Sequence, residues 1–265
     1  MSVDTPTRTE YLPVRRGNGW RIVGGVFSVF FILAGAVSVA SLLARQTEVQ
    51  DQVYQRTVTQ IVVEIGTGDL TVMPANGGVS VHRHLKWSWT KPTIQESWDG
   101  TTLTIRTRCP AVQFGSGCGV DYTLRVPADV SLITRNSTGD VTVNGIRGDL
   151  ALSTSTGDIR LTGASRALSL HTSTGDINAS KLTSSEVDAN VSTGDVTLGF
   201  DRAPTSVHAN TSTGDVRITV PAGDPYRVEA STNTGDTDIR VVQNPTSTNL
   251  IAVRTHTGDI WVRYA

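Results

Sequence analysis

Aspartate is the residue type whose placement in this chain most suggests chemistry. Asp140, Asp158, Asp176, Asp195, Asp215, Asp236 and Asp259 each follow a Thr-Gly pair, and those glycines recur at steps of 18, 18, 19, 20, 21 and 23 residues. An earlier copy is Gly66-Thr67-Gly68-Asp69. If successive copies stack in register, their carboxylates stand about 5 Å apart, one strand spacing. Like charges at that distance repel by about 0.8 kcal/mol in full solvent, so something must compensate. Two answers fit: each Asp accepts hydrogen bonds from its own turn and faces water, or Ca²⁺ bridges the copies through Asp140, Asp158, Asp176, Asp195 and Asp215. Calcium-binding β-rolls use glycine-richer repeats than these. One Asp and one Thr per copy also fall short of the roughly six to eight oxygens that Ca²⁺ takes. The expectation is solvated turn carboxylates with no metal and no cofactor.

Other residues invite the same weighing. His82 and His84 alternate along one stretch and lack a third ligand, so solvated positions are expected. Arg147-Gly148-Asp149 spells an integrin-type tripeptide at a corner that the repeat makes anyway. Trp87, Trp89 and Trp98 cluster near Lys86 and Lys91. Burial under a long loop is the default for the rings, with an exposed aromatic strip for glycan or lipid as the alternative. No Gly-x-Ser-x-Gly elbow, phosphate-cradling loop or zinc motif occurs, so an enzyme is not expected. A net charge of −1 gives no reason to expect nucleic acid.

The elements that position the aspartates follow from alternation. Counting from each Asp, positions one and three after it are apolar, as in Val141/Val143, Ile159/Leu161 and Val196/Leu198; Thr237 breaks the rule. Positions eight and six before it behave alike, as in Leu150/Leu152 and Leu168/Leu170, with Thr134 the exception. Period-two alternation of aliphatic and β-branched residues marks a strand with one buried face. Each copy therefore holds two short strands joined at the Thr-Gly-Asp corner. Glycine takes positive φ there without steric cost, and Asp or Ser can bond the turning backbone. The corner glycines are Gly68, Gly139, Gly157, Gly175, Gly194, Gly214, Gly235 and Gly258. The second corner of each copy is looser and takes most of the lengthening. A unit of this size cannot bury its apolar face alone, so copies must stack. The reading is all-β: a single-stranded parallel β-helix, or β-solenoid. An antiparallel sandwich would also show strands every 8–12 residues or so, but the in-phase recurrence of one corner favours the solenoid.

Upstream, residues 22–44 carry no charge. At about 1.5 Å per residue such a helix spans a bilayer core of about 30 Å. Trp20 sits at an interfacial position, and Arg8, Arg15, Arg16 and Arg21 precede the run, which predicts a cytoplasmic N-terminus. Ser38-Val39-Ala40 has the look of a signal-peptidase site, yet the run is longer than an h-region. Ala36, Ala40 and Ala44 share the small-residue spacing of paired helices, and a lipid-facing accident accounts for it as well. The expected organisation is a cytoplasmic tail (1–20), a transmembrane helix (21–45), a polar linker (46–55) and the solenoid (56–265). Within the solenoid, 56–130 reads as an irregular cap with the first coils and 131–265 as regular coils; Trp261 and Tyr264 in the last strand could close the core. Outside the cell, Cys109 and Cys118 favour a disulfide.

Cys109-Pro110, then Cys118-Gly119-Val120-Asp121-Tyr122-Thr123-Leu124-Arg125-Val126-Pro127, then serial Ser-Thr-Gly-Asp units make a pattern over about residues 55–265. It resembles a bacterial family of β-strand-repeat proteins of unknown function, labelled as candidate adhesins and related to the toastrack domains of envelope-stress systems. The resemblance implies a single-stranded β-helix at the cell surface and little about chemistry. Together these readings predict a single-pass protein of the bacterial plasma membrane whose repeat domain is extracytoplasmic. Its expected role is non-catalytic binding or scaffolding, with wall polymer, a glycan or a membrane protein as partner. The alternatives are a sensory or accessory module of an envelope-stress response acting with a partner membrane protein, and a carbohydrate-active solenoid enzyme.

Overall fold

The computed structural model describes residues 45–109 and 117–265, together with residues 27, 31, 32 and 35. The expected transmembrane helix thus lies almost wholly outside the described residues. Among the described residues no helix is long and apolar enough to cross a membrane.

Alternation builds what it predicts. The regular coils are strand pairs: β8 Ser131–Thr138 with β9 Val141–Asn144, β10 Leu150–Thr156 with β11 Ile159–Thr162, and β12 Leu168–Thr174 with β13 Ile177–Leu182. They continue as β14 Glu186–Thr193 with β15 Val196–Phe200, and β16 Ser206–Thr213 with β17 Val216–Val220. The last two are β18 Arg227–Thr234 with β19 Thr237–Arg240, and β20 Leu250–Thr257 with β21 Ile260–Tyr264. The first strand of each pair lies in one sheet and the second in the facing sheet, and coil pairs with coil in parallel. The result is a β-solenoid with a core between its two sheets. Register is one-to-one, so Leu132, Leu150, Leu168, Val187 and Val207 form a single buried column. Val141, Ile159, Ile177, Val196 and Val216 form the facing one. The looser second corner absorbs irregularity. Between Ala179 and Leu182 the register of β13 shifts, and Lys181 there takes a left-handed φ of 53°.

The N-terminal strands are β1 Gln46–Tyr54, β2 Gln60–Thr67, β3 Leu70–Pro74, β4 Val79–Trp87, β5 Thr93–Asp99, β6 Thr102–Arg108 and β7 Gly119–Val126. Here the coils leave chain order. From one end the stack runs β6/β7, β2/β3, β8/β9 and onward to β16/β17, then β20/β21, and last β18/β19. At the near end β4 adds to β7 and β1 to β4, both antiparallel, while β5 adds antiparallel to β6.

Two sequence expectations are corrected. Residues 46–54, read as a polar linker, form β1, paired with β4 along nine positions from Gln46↔Trp87 to Tyr54↔Val79. The apolar rule missed it because this end of the interior is polar. Arg83 pairs with Glu96 across the sheets at 2.8 Å, Tyr54 donates its hydroxyl hydrogen to Glu96, and Gln50 donates to Glu48 at 2.6 Å. Trp261 and Tyr264 do not close the core. Their strand β21 is an inner strand between β17 and β19. Trp261 faces outward with the Arg217 guanidinium 4.3 Å from its ring centre. The Tyr264 hydroxyl donates to the Asp224 carbonyl at 3.2 Å and accepts the Val242 amide at 3.0 Å. The far end is the β18/β19 coil, whose Val228, Ala230 and Ile239 are only half-buried.

Candidate functional site

The stacked corners make one continuous spine. Each Thr-Gly-Asp glycine has φ between +131° and +143°, a region that L side chains rarely adopt. Each also lies against its neighbour: a Cβ added at Gly157, Gly175, Gly194 or Gly214 would come within 2.0–2.2 Å of the carbonyl oxygen of the adjacent corner glycine. The glycine therefore serves the turn and the close approach of the coils together.

The aspartates answer the question of charge in a way that neither sequence reading foresaw. From Asp69 to Asp259 in stacking order, each carboxylate accepts the backbone amide of the next corner Asp rather than one from its own turn. The Asp140 amide donates to Asp69 Oδ1 at 2.9 Å, Asp158 to Asp140 at 2.9 Å, Asp176 to Asp158 at 2.9 Å and Asp195 to Asp176 at 2.8 Å. Asp215 donates to Asp195 at 2.8 Å, Asp259 to Asp215 at 2.9 Å, and Asp236 to Asp259 at 2.8 Å, which follows the stacking order rather than the chain order. Asp121, at the start of β7, opens the series by accepting the Asp69 amide at 3.2 Å.

Arginines two residues beyond an Asp bridge two coils. Arg160 contacts Asp140 and Asp158, each at 2.6 Å; Arg217 contacts Asp195 at 3.4 Å and Asp215 at 2.8 Å. The Asp158 amide, and then the Arg160 guanidinium, hold the Asp140 carboxyl below the usual carboxylate range. The Asp140 carboxylate in turn raises Arg160. Of the calcium candidates, Asp140, Asp158, Asp176 and Asp195 each give Oδ1 to an amide of the adjacent coil, as does Asp215. Among the described residues no group of three or more His, Cys, Asp or Glu side chains is placed to hold a metal ion.

A second column runs just inside the spine. Four residues before five of the corner Asps, an inward hydroxyl donates to the corner glycine carbonyl of the adjacent coil. Thr154 reaches Gly139, Thr172 reaches Gly157, Thr211 reaches Gly194 and Thr255 reaches Gly214, each at 3.1 Å; Thr232 reaches Gly258 at 2.9 Å. Asn136 donates to the Gly68 and Gly139 carbonyls at 3.0 Å. The sequence carried this signal, because the period-two inward series continues to that position, where Thr recurs. Val191 is the gap in the column: it is buried and leaves the Gly175 carbonyl without the hydroxyl its neighbours receive. Val191→Thr should restore that bond and stabilise the protein by about 0.5–1 kcal/mol, measured as a raised urea midpoint at unchanged m-value. Thr172→Val should cost a similar amount by the same assay.

The remaining candidates are dispersed. His82 Nδ1 lies 2.6 Å from Asp51 Oδ1 and His84 lies 3.8 Å from Asp121, so the two imidazoles serve different carboxylates. Arg147 forks onto Asp129 at 3.1 and 3.2 Å. Gly148 of the same tripeptide is buried against the Val130 carbonyl. Trp87 is buried with the Lys91 ammonium 5.4 Å from its ring centre, Trp98 packs edge-on against Tyr54 at 5.3 Å, and Trp89 is 61% exposed. Cys109 and Cys118 form the expected disulfide, with sulfurs 2.01 Å apart. It closes the corner between β6 and β7, which lacks a Thr-Gly-Asp. Across the outer face of the ten-stranded sheet runs a groove of about 600 Å³ that crosses β2, β8, β10, β12, β14 and β16. Gln60, Ser131, Ala151, Ser169, Asp188 and His208 lie along it.

No curated protein matches the chain significantly. Solved structures do match. An adhesin candidate from Bacteroides fragilis aligns with a TM-score of 0.52 at 11% identity, covering 83% of this chain and 97% of that one. A cell-adhesion-protein candidate from Clostridium sporogenes covers 83% of this chain and 100% of its own at 10% identity, with a TM-score of 0.39. At such identities the first likeness speaks for the fold alone. The family model described as Toastrack DUF4097 matches residues 51–263, and with that span of parallel coils the chain belongs to the Toastrack DUF4097 family.

Proposed function

We propose that this protein is a membrane-anchored, extracytoplasmic solenoid that binds or scaffolds at the bacterial envelope without catalysis. The groove across the ten-stranded sheet carries the reading. It spans six neighbouring strands, or about 24 Å at strand spacing, and offers small hydroxyls, Ala151, Asp188 and His208 in rows. Such a surface suits many weak contacts with an elongated ligand such as wall polymer or glycan. The spine, where half of the acidic residues of the regular coils converge, is committed to backbone hydrogen bonds and arginine bridges. The uncharged run 22–44, with arginines before it, supports the anchor, and the adhesin label on the Bacteroides fragilis protein agrees with a binding role.

Two measurements test this. The full chain should stay in the membrane pellet through alkaline carbonate extraction, and protease added outside spheroplasts should reach the solenoid. Wall polymer or a glycan array should retain the full chain in detergent, and Ala151→Arg with Ser169→Arg in the groove should abolish retention. Release by carbonate would overturn the anchor; no retention by any polymer, with a single membrane protein co-purifying instead, would overturn polymer binding in favour of an accessory role in envelope sensing.

A further inference from the structure

Exposed hydrophobic side chains are not scattered over the solenoid. Among the described residues from 45 onward, the large ones are Val49, Val53, Trp89 and Val242. Three of the four sit at one end. Val49 (57% exposed) and Val53 (55%) lie on β1, the edge strand of the eleven-stranded sheet. Trp89 (61%) lies two residues beyond Trp87, the pairing partner of Gln46. The burial of β1 is inverted relative to every regular coil. Its half-buried positions are Glu48, Gln50 and Tyr54, and its valines face out.

This is also the end where the chain enters the fold. Arg45, the first residue after the uncharged run, lines a cavity of about 390 Å³ with Gln46, Lys86, Trp87, Cys118 and Gly119. A run that spans a bilayer places the residue after it in the headgroup layer. Trp89 is two residues beyond the position opposite Gln46 and so at most about 7 Å from it, which is within that layer. The nearby ammonium groups are already engaged: Lys86 with Asp121 and Lys91 with Glu48. The remaining charges beside the valines, Arg45 and Asp51, are of opposite sign, and Asp51 faces His82; the patch is thus close to neutral, and its contact would be interfacial and apolar rather than electrostatic.

We infer that this end of the rod is a bilayer contact: Trp89, with Val49 and Val53, seats in the headgroup region of the leaflet that the uncharged run crosses, and fixes the rod against the membrane. The inference rests on the anchored reading and adds the docking surface. Its occupant is the phospholipid interface. The exposed indole belongs where interfacial aromatics concentrate, and the outward valines on an edge strand have no other cover among the described residues.

The test uses the full chain reconstituted in vesicles of phosphatidylcholine with brominated acyl chains, read by tryptophan fluorescence. Bromine should quench Trp89, so Trp89→Phe should lose part of the quenchable emission, and Val49→Asp with Val53→Asp should reduce quenching of Trp89. Replacing half the lipid by phosphatidylglycerol, or adding salt, should change nothing. Equal quenching of wild type and Trp89→Phe, with anchorage intact in carbonate, would overturn the contact while sparing the anchor. Quenching that needs anionic lipid would overturn its apolar character. Shielding of Trp89 from iodide that rises with protein concentration in detergent would give the surface to a second copy instead.

Discussion

Gly175→Ala should cost about 3–5 kcal/mol, a loss shared by the corner glycines and large for a single added methyl group. Two effects combine. An L side chain at the φ of +133° found there is strained by about 1–2 kcal/mol on its own. The added carbon would also stand 2.1 Å from the Gly157 carbonyl oxygen, and backbone cannot step aside as a side chain can. To admit it the coils must part, which loosens the Gly157 amide on the Thr174 carbonyl and the Asp176 amide on Asp158. Gly223→Ala separates the two causes. Its φ is +120° but nothing lies within 4 Å of the new carbon, so only the strain of about 1–2 kcal/mol remains. Urea denaturation of both variants decides it, and equal losses would mean that the close contact between corners carries no weight.

Asp140→Ala should cost about 1–2 kcal/mol, because the Asp158 amide loses its acceptor and Arg160 keeps one partner of two. Asp140→Asn should cost less, since an amide oxygen still accepts. The pH dependence gives the sharper reading. The folded Asp140 carboxyl titrates below the unfolded one, so its stabilisation is complete above the unfolded carboxylate pKa of about 3.9. It is lost as pH falls through the lower folded value. The gap between wild type and Asp140→Asn should therefore be constant from neutral pH down to about 5 and narrow below about 4, measured as denaturation midpoints along a pH series. A gap that widens in acid would reverse the sign of the linkage.

Much of this architecture is legible in the amino-acid order. The alternation around each corner Asp specifies two strands and their inward faces, and the recurrence of Thr-Gly-Asp specifies that corners stack. The cysteine pair was legible too. What could not be read has a common cause: it depends on which coil meets which. Every coil offers the same aliphatics and the same Thr, Gly and Asp, so β20/β21 fits against β16/β17 as well as β18/β19 would, and local pattern cannot choose between them. The direction of the aspartate bonds was hidden for the same reason, since an acceptor for its own turn and an acceptor for the neighbouring coil look alike along the chain. β1 escaped because its inner face answers Arg83 and Glu96, which lie 33–46 residues from Gln50 in sequence, and polar strands of this kind have no periodic apolar signature.

The insertion of β20/β21 between β17 and β19, and between β16 and β18, bears on how the molecule is made. A chain that emerges from the ribosome or a translocation pore residue by residue can zip its middle turns as they appear. The distal tip cannot follow that schedule: a segment that emerges later fills a slot beneath one already synthesised. The tip must stay unlatched, or sit for a time on the wrong neighbour, until residues 250–264 are out. Pulse-labelling during synthesis should then find the tip protease-sensitive long after the middle has become resistant, and a stall that holds back only those residues should leave it so.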